Sequence, residues 1–173
     1  SLAVLHGHLS AAEAWQLDDP PAERVLEWAA RLHEIGLDVA HSRHHQHGAY
    51  LLENADMPGF TREEQRVLSR IVGGHRRRLV IDGFDQLLPP WDRRTIYLIV
   101  LLRLAVLLHR GRGSAPLPEV QLLPRGRSLE VRFPLRWLKE HPLTVADLRQ
   151  EIELQRDADF RLKVYSSRGA QAV

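Results

Sequence analysis

Helical periodicity dominates the first two-thirds of the sequence. After Asp19-Pro20-Pro21, apolar residues recur at the i, i+3, i+4 and i+7 positions through Leu32, the spacing of a helix with one buried face. Proline is tolerated in the first turn of a helix, so Asp19 predicts its start and Gly36 its end. A second helix is predicted over residues 44–54.

Two more helices follow. Thr61 and Glu64 have the spacing of a capping box, in which each side chain binds the other residue's free backbone N–H. The longest apolar stretch, Ile96 to Leu108, is interrupted only by Arg103. A membrane span needs roughly 20 apolar residues, so this stretch predicts a buried central helix, which Asp92 can cap, and no membrane span.

The pattern changes after residue 110. Two alternating apolar segments, 119–123 and 128–133, flank a glycine-containing turn and predict a β-hairpin. Helices are predicted at 134–140 and 144–157, and an alternating segment at 160–165 predicts a third strand that joins the hairpin. The expected fold is mainly α: an HD-like helical bundle over residues 1–110, followed by a packed α+β subdomain over 111–173 with a small antiparallel sheet.

Composition narrows the function classes. Hydrophobic residues make up 44% and charged residues 27%, which is typical of a folded domain. The absence of cysteine excludes a disulfide scaffold, cysteine-ligated zinc and a thiol nucleophile, and it fits a cytoplasmic protein. A net charge of only +2 gives no reason to expect a nucleic-acid partner.

The excess of arginine over lysine and the first residue of the sequence each suggest a further property. Lys139 and Lys163 are the only lysines, so 22 of the 24 basic residues are arginine. Arginine suits phosphate and carboxylate groups, although codon bias in a GC-rich genome gives the same count. The chain opens on Ser1 without a signal-peptide pattern, so we expect no signal peptide and a fragment of a longer protein.

Histidines are concentrated in one segment. Five of the ten lie between residues 33 and 47, and His75 directly precedes three arginines, Arg76 to Arg78. Imidazoles serve as metal ligands or as groups that gain positive charge near neutral pH. Three interpretations stay open from the residues alone: a solvated basic helix face with one core histidine, a phosphate-binding surface, or a metal site.

Several motifs resemble those of one known family. They are Trp28–Leu37, which contains Leu-His-Glu-Ile-Gly-Leu, then His44–Asn54, Asp56–Phe60, His75-Arg76-Arg77, Leu101–Leu108 and Val131–Leu138. Together they resemble the C-terminal region of the exopolyphosphatase/guanosine pentaphosphate phosphohydrolase family, from about Trp15 onward. The histidines after Gly36, with the His-Arg-Arg run, look more like the exopolyphosphatase branch.

The resemblance implies a longer parent enzyme. Family members carry catalysis in two N-terminal lobes with glycine-rich phosphate loops, a magnesium site and a catalytic glutamate, and nothing in this sequence resembles those loops. We therefore expect no catalytic residue here, no cofactor in this fragment, and Mg²⁺ in the parent enzyme. The expected partners are those lobes of the same chain, inorganic polyphosphate and a second copy in a homodimer.

The helical part is also similar to the HD superfamily of metal phosphohydrolases. Its His–Asp pair corresponds to His33 and Glu34 here, and Val106 stands where that superfamily supplies a later aspartate. Since valine cannot bind a cation, the pattern predicts a vestigial site without metal. We expect His33 and Glu34 to form a buried hydrogen-bonded pair. Arg103 must reach a carboxylate, a helix C-terminus or the surface, and Glu34 is one candidate partner.

These observations predict a substrate-binding and assembly role rather than catalysis. The parent would release terminal orthophosphate from inorganic polyphosphate, and this part would guide the polyanion and support dimerisation, with binding stronger at pH 6 than at pH 8. The alternatives are an active HD-type phosphohydrolase acting on a nucleotide and a purely structural dimerisation module. The candidate polyphosphate contacts are Arg43, His44, His47, His75, Arg76, Arg77 and Arg78.

Overall fold

The computed structural model describes residues 15–79, 81–110 and 118–167. These residues form two compact units, Asp18–Arg103 and the described part of residues 104–173 together with residues 15–17. The division falls inside one long helix. The predicted boundary at residue 110 and the packing of the two parts stay predictions.

Four α-helices belong wholly or partly to the unit Asp18–Arg103. They are α1 (Pro20–Leu32), α2 (His44–Asn54), α3 (Arg62–Gly74) and α4 (Trp91–His109), with 3₁₀ turns at Ile35–Asp38 and Phe84–Gln86. The helix starts follow from local chemistry. Asp19 accepts a hydrogen bond from the Ala22 N–H at 2.9 Å. Both bonds of the Thr61–Glu64 capping box are present, at 2.7 and 3.1 Å.

The long helix α4 is the buried central helix that the sequence predicts. Ile99 and Val100 are fully buried, and Leu104 is 1% exposed. The predicted cap is wrong, because the helix begins at Trp91 and Asp92 lies in its first turn. The Trp91 N–H donates to the Leu88 carbonyl at 2.9 Å, and this tight turn starts the helix two residues earlier than a cap at Asp92 would. No helix in the described ranges is both long and apolar enough to cross a membrane.

The second unit is built on a three-stranded sheet in the order β1 (Gln121–Arg125), β2 (Ser128–Phe133), β3 (Arg161–Ser166). Strands β1 and β2 form the predicted antiparallel hairpin, with Leu122 opposite Val131. Strand β3 pairs with β2 in parallel, so the sheet is mixed and the expectation of an antiparallel sheet is wrong in this detail. Helices α5 (Leu135–Glu140) and α6 (Pro142–Arg156) form the crossover that returns the chain in the same direction.

Trp15 belongs to this sheet unit although it precedes the helical unit in sequence. Its ring meets Phe160 edge-on, with the ring centroids 6.0 Å apart. Its indole N–H donates to the Gly126 carbonyl at 3.0 Å, across 111 positions of sequence. The expected fold class, mainly helical with a small sheet near the C-terminus, is confirmed.

Candidate functional site

The start of α2 is shaped by close backbone packing. Arg43 precedes the helix in a left-handed conformation, with φ 56° and no side-chain cap. A Cβ atom at Gly36 would overlap the His44 carbonyl oxygen, and it would lie 2.5 Å from the Gly48 nitrogen. Only glycine at position 36 therefore lets the 3₁₀ turn approach α2 this closely. The approach buries the first residues of α2.

Four imidazole rings meet at this place. His33, His44, His45 and His75, named here the histidine cluster, come from the end of α1, the start of α2 and the end of α3. The His75 ring centroid lies 5.3 Å from that of His33, 5.6 Å from that of His44 and 6.3 Å from that of His45. His44, His45 and His75 are each more than nine-tenths buried.

Hydrogen bonds orient several of these rings. The His75 Nδ1–H donates to the Val72 carbonyl at 2.6 Å, and the His33 Nδ1–H donates to the Ala30 carbonyl at 2.8 Å. Arg76 Nη1 lies 3.1 Å from Nδ1 and 3.2 Å from Nε2 of His44. The guanidinium can donate only to an unprotonated ring nitrogen, so this contact requires a neutral His44. His45 Nδ1 is buried and has no hydrogen-bond partner among the described residues.

The surroundings hold the buried rings in the neutral form. Burial, followed by the charges of the neighbouring histidines, lowers the pKa of His75 to about 3. Burial, then Arg76 and the other nearby cations, lowers the pKa of His45 to about 4. Burial also lowers the pKa of His44, which Arg76 lowers further while the His41 carbonyl and Glu34 oppose the shift.

Of the three interpretations that the sequence leaves open, a solvated histidine face does not hold for His44, His45 and His75, which are all buried. The backbone approach at Gly36 and the end of α3 cover these rings. With pKa values of about 4 and about 3, His45 and His75 gain little charge between pH 8 and pH 6. The expected increase in binding at pH 6 cannot come from His45 or His75. Of the remaining histidines in this segment, His41 is exposed and His47 is half-buried.

The arginines of the candidate set lie toward solvent. Arg43, Arg77 and Arg78 are exposed, and Arg76 is half-buried against His44. Arg77 has a left-handed backbone with φ 62°. Arg76 and Arg77 both lower the pKa of His45, so their positive charges lie near the start of α2. The structure thus brings His44, His75 and Arg76 together and places exposed arginines on the two chain segments beside them.

Arg103 has a role that its sequence position leaves open. Its side chain is buried, at 2% exposure. Nη1 donates to the Gly74 carbonyl at 2.7 Å and Nη2 donates to the Arg77 carbonyl at 2.8 Å. Of the three destinations that the sequence allows, the guanidinium reaches the C-terminus of a helix, α3.

The expected buried pair of His33 and Glu34 is wrong. Glu34 is exposed, because it follows the last turn of α1, and the His33 ring turns back to the Ala30 carbonyl. In the described part of the chain, no group of three or more His, Cys, Asp or Glu side chains is arranged to hold a metal ion. The described side chains at this site therefore offer no ligand set for a divalent metal.

Sequence reasoning missed the burial of His45 and did not identify which carbonyls accept from Arg103. A signal for the first exists in the small residues Gly36 and Gly48, which permit close packing around α2. No signal exists for the second, since every residue carries a backbone carbonyl.

Comparisons with known proteins find the same family that the sequence motifs resemble. The family model described as "Ppx/GppA phosphatase, domain III" matches residues 2–152. The chain is similar to the guanosine-5'-triphosphate,3'-diphosphate pyrophosphatase of Pseudoalteromonas translucida (strain TAC 125), with 35% identity over 155 residues, which are 88% of this chain and 30% of that protein. The protein of the same name from Vibrio cholerae (serotype O1, strain El Tor Inaba N16961) is 36% identical over 152 residues, with the same coverage. The chain thus spans about 30% of the length of these relatives.

Proposed function

This chain belongs to the Ppx/GppA phosphatase family as its domain III, and from that premise we propose that it is the polyanion-binding part of a longer exopolyphosphatase. In this proposal the parent enzyme releases terminal orthophosphate from inorganic polyphosphate. The present chain binds the polyanion and supplies no catalytic group. The parent's other lobes carry the Mg²⁺ site, and a homodimer stays part of the expectation.

The observation that carries the proposal is the arrangement of charge at the start of α2. Exposed guanidinium groups at Arg43, Arg77 and Arg78 lie on segments that flank buried, uncharged imidazoles. Arginine presents a planar fork of N–H donors that matches phosphate oxygens in pairs. Because the rings beneath are neutral near pH 7, the positive charge of this surface comes from groups that stay charged at every physiological pH.

The names of the relatives favour a second candidate substrate. The proteins from Pseudoalteromonas and Vibrio are named for a pyrophosphatase acting on guanosine-5'-triphosphate,3'-diphosphate. That molecule carries a triphosphate and a diphosphate, so its phosphate groups suit the same arginine surface. Inorganic polyphosphate differs from it in length, and length is therefore the property that separates the two candidates.

Titration with fluorescently labelled long-chain polyphosphate tests the proposal. Each contact between a cation and a single-stranded polyanion contributes about 0.7 to the slope of log affinity against log salt concentration. The triple variant Arg76→Ala, Arg77→Ala, Arg78→Ala should thus lower that slope by about 2. The matched control removes three exposed arginines from the same unit, at positions 31, 66 and 93, and should change the slope less.

Competition separates the two substrates. Unlabelled guanosine pentaphosphate should displace the label weakly if an extended row of arginines binds a long chain. Displacement at equal phosphate concentration by guanosine pentaphosphate and by long polyphosphate would favour the nucleotide. Absence of binding at low salt, or equal slopes in the two triple variants, would contradict the proposal. Incubation of the chain with polyphosphate and magnesium should release no orthophosphate above a blank.

A further inference from the structure

Arg103 binds two backbone carbonyls, one at the end of a helix and one in the non-helical chain that follows it. Gly74 is the last residue of α3, and Arg77 lies three residues beyond it in the left-handed region, with φ 62°. The guanidinium donates to both carbonyls at once, at 2.7 and 2.8 Å, from a side chain that is 2% exposed. It therefore connects the helix end to the chain that leaves it.

The physical chemistry of a helix end explains why a cation is tolerated there. The last carbonyls of a helix lack partners within the helix and carry a partial negative charge, which favours a cation near them. A left-handed backbone at a residue other than glycine is strained and persists where its surroundings hold it. The bond from Arg103 to the Arg77 carbonyl is one such restraint.

We propose that Arg103 is a positioning residue that holds the arginine segment, Arg76 to Arg78, in the shape that binds a polyanion. This inference rests on the proposed function of the same surface. The bridge fixes the segment before the ligand arrives, so that less conformational freedom is lost on binding. Arg103 also adds a buried positive charge, which is close enough to the site to lower the pKa of His45.

The conservative variant Arg103→Lys tests this role. Lysine keeps the positive charge, but its compact ammonium group does not offer the two-pronged geometry that reaches both carbonyls. We expect far-UV circular dichroism like that of the wild type and polyphosphate affinity weaker by about two- to thirtyfold. Unchanged affinity at every salt concentration would overturn the proposal.

Trypsin provides a measurement that needs no ligand. It cleaves after arginine, and the segment offers three such bonds in a row. In the Lys variant the native-state cleavage rate after Arg77 and Arg78 should rise, while the rate after Arg31 in α1 should stay that of the wild type. Equal rates in both proteins at Arg77 and Arg78 would overturn the positioning role, even if polyphosphate fails to bind the wild type and the proposed function falls.

A double-mutant cycle distinguishes positioning from general weakening of the fold. The Lys substitution is introduced into the triple alanine variant of the arginine segment, and the change in affinity is compared with that in the wild type. If Arg103 acts through the segment, its effect on affinity should largely disappear once the three guanidinium groups are removed. An equal loss of affinity in both backgrounds would assign Arg103 to the stability of the unit and would overturn the proposal.

Discussion

The two units of this chain treat buried polar groups differently. Among the described residues, seven polar or charged side chains are buried within Asp18–Arg103, and three are buried in the rest of the chain. In the sheet unit the three are Glu151, Gln155 and Ser166, beside apolar residues such as Val131, Phe133 and Val164. The seven in the helical unit are His44, His45, Gln65, Ser69, His75, Thr95 and Arg103.

This difference bears on the free energy of folding of the two units. Burying a polar group is unfavourable unless it finds hydrogen-bond partners, and an apolar group of the same size avoids that penalty. The sheet unit buries fewer such groups than the helical unit. The helical unit, beside its apolar core, buries neutral imidazoles and one guanidinium near exposed arginines. The proposed binding surface lies on this unit.

The largest effect on stability is expected from a substitution in α4, where the two units meet in sequence between Arg103 and Leu104. Arg103 is accommodated by two carbonyls, whereas its neighbour Leu104 is 1% exposed among apolar side chains. Leu104→Arg should unfold or aggregate the chain, since an unpaired buried charge costs on the order of 3–5 kcal/mol of a typical ~5–15 kcal/mol. Circular dichroism and thermal melting measure the result. The control Leu143→Arg, at 83% exposure, should melt as the wild type does; a normal melt for both variants would refute the assignment.

Acid should separate the two units next. His75 has an ordinary pKa near 6.5 when unfolded and about 3 when folded, so the unfolded chain binds more protons between these values. Its contribution to stability is present above pH 6.5 and is lost as the pH falls toward 3, on the order of 3 kcal/mol at pH 4. Hydrogen exchange between pH 7 and 4 should show the helical unit opening before the sheet unit.

The acid prediction has its own variants. His75→Gln removes the titrating ring and keeps an N–H donor, so it should flatten the dependence of the helical unit's stability on pH. His41→Gln, at an exposed position, is the control and should leave that dependence as it is in the wild type. If the sheet unit exchanged first on acidification, the assignment of the acid-sensitive interior to the helical unit would be wrong.

A backbone contact should have a smaller effect. Gly36→Ala places a Cβ atom against the His44 carbonyl, and forced overpacking typically costs about 1–3 kcal/mol. In Gly73→Ala the new Cβ lies 3.2 Å from the Ala49 Cβ, and a helix interior favours alanine, so this control should lose less stability. Denaturant unfolding of the two variants compares them, and equal losses would mean that the approach at Gly36 does not hold the histidine cluster in place.

The smallest predicted effect is that of a cap in the helical unit. Thr61→Ala removes the acceptor of the Glu64 N–H and should cost about 1 kcal/mol of the free energy of unfolding. Thr61→Ser keeps the hydroxyl group and should retain most of that stability. A larger loss with alanine, similar to that of a core variant, would show that Thr61 does more than cap α3.

Local signals account for the parts of the fold that the sequence predicts well. The cap at Asp19, the capping box at Thr61 and the helix over residues 44–54 depend on neighbouring residues, and each is confirmed. The direction of β3 depends on the crossover through α5 and α6. Alternating apolar residues in 160–165 are compatible with either direction, so the parallel pairing could not be predicted from them.

The candidate site was harder to predict because it, too, depends on contacts between residues that are distant in sequence. A histidine on a helix is compatible with exposure or burial, and the outcome at His44 and His45 depends on how closely the turn at Gly36 approaches α2. The charged Arg103 within an apolar stretch predicts a hydrogen-bond partner. Its acceptors are backbone carbonyls, which have no sequence signature. The sequence therefore left the exposure of these side chains open, and the structure buries His44, His45 and His75.

The contact of Trp15 with the sheet unit has a consequence for the order of events during synthesis. The carbonyl group that accepts its indole N–H belongs to Gly126, 111 residues further along the chain. At about 5–20 residues per second, a ribosome needs about 6–22 s to make that stretch. All of Asp18–Arg103 is made within this interval, before the Gly126 carbonyl and the Phe160 ring that Trp15 contacts. The helical unit can therefore begin to fold as an insertion whose two flanking ends are joined only when the sheet has been made.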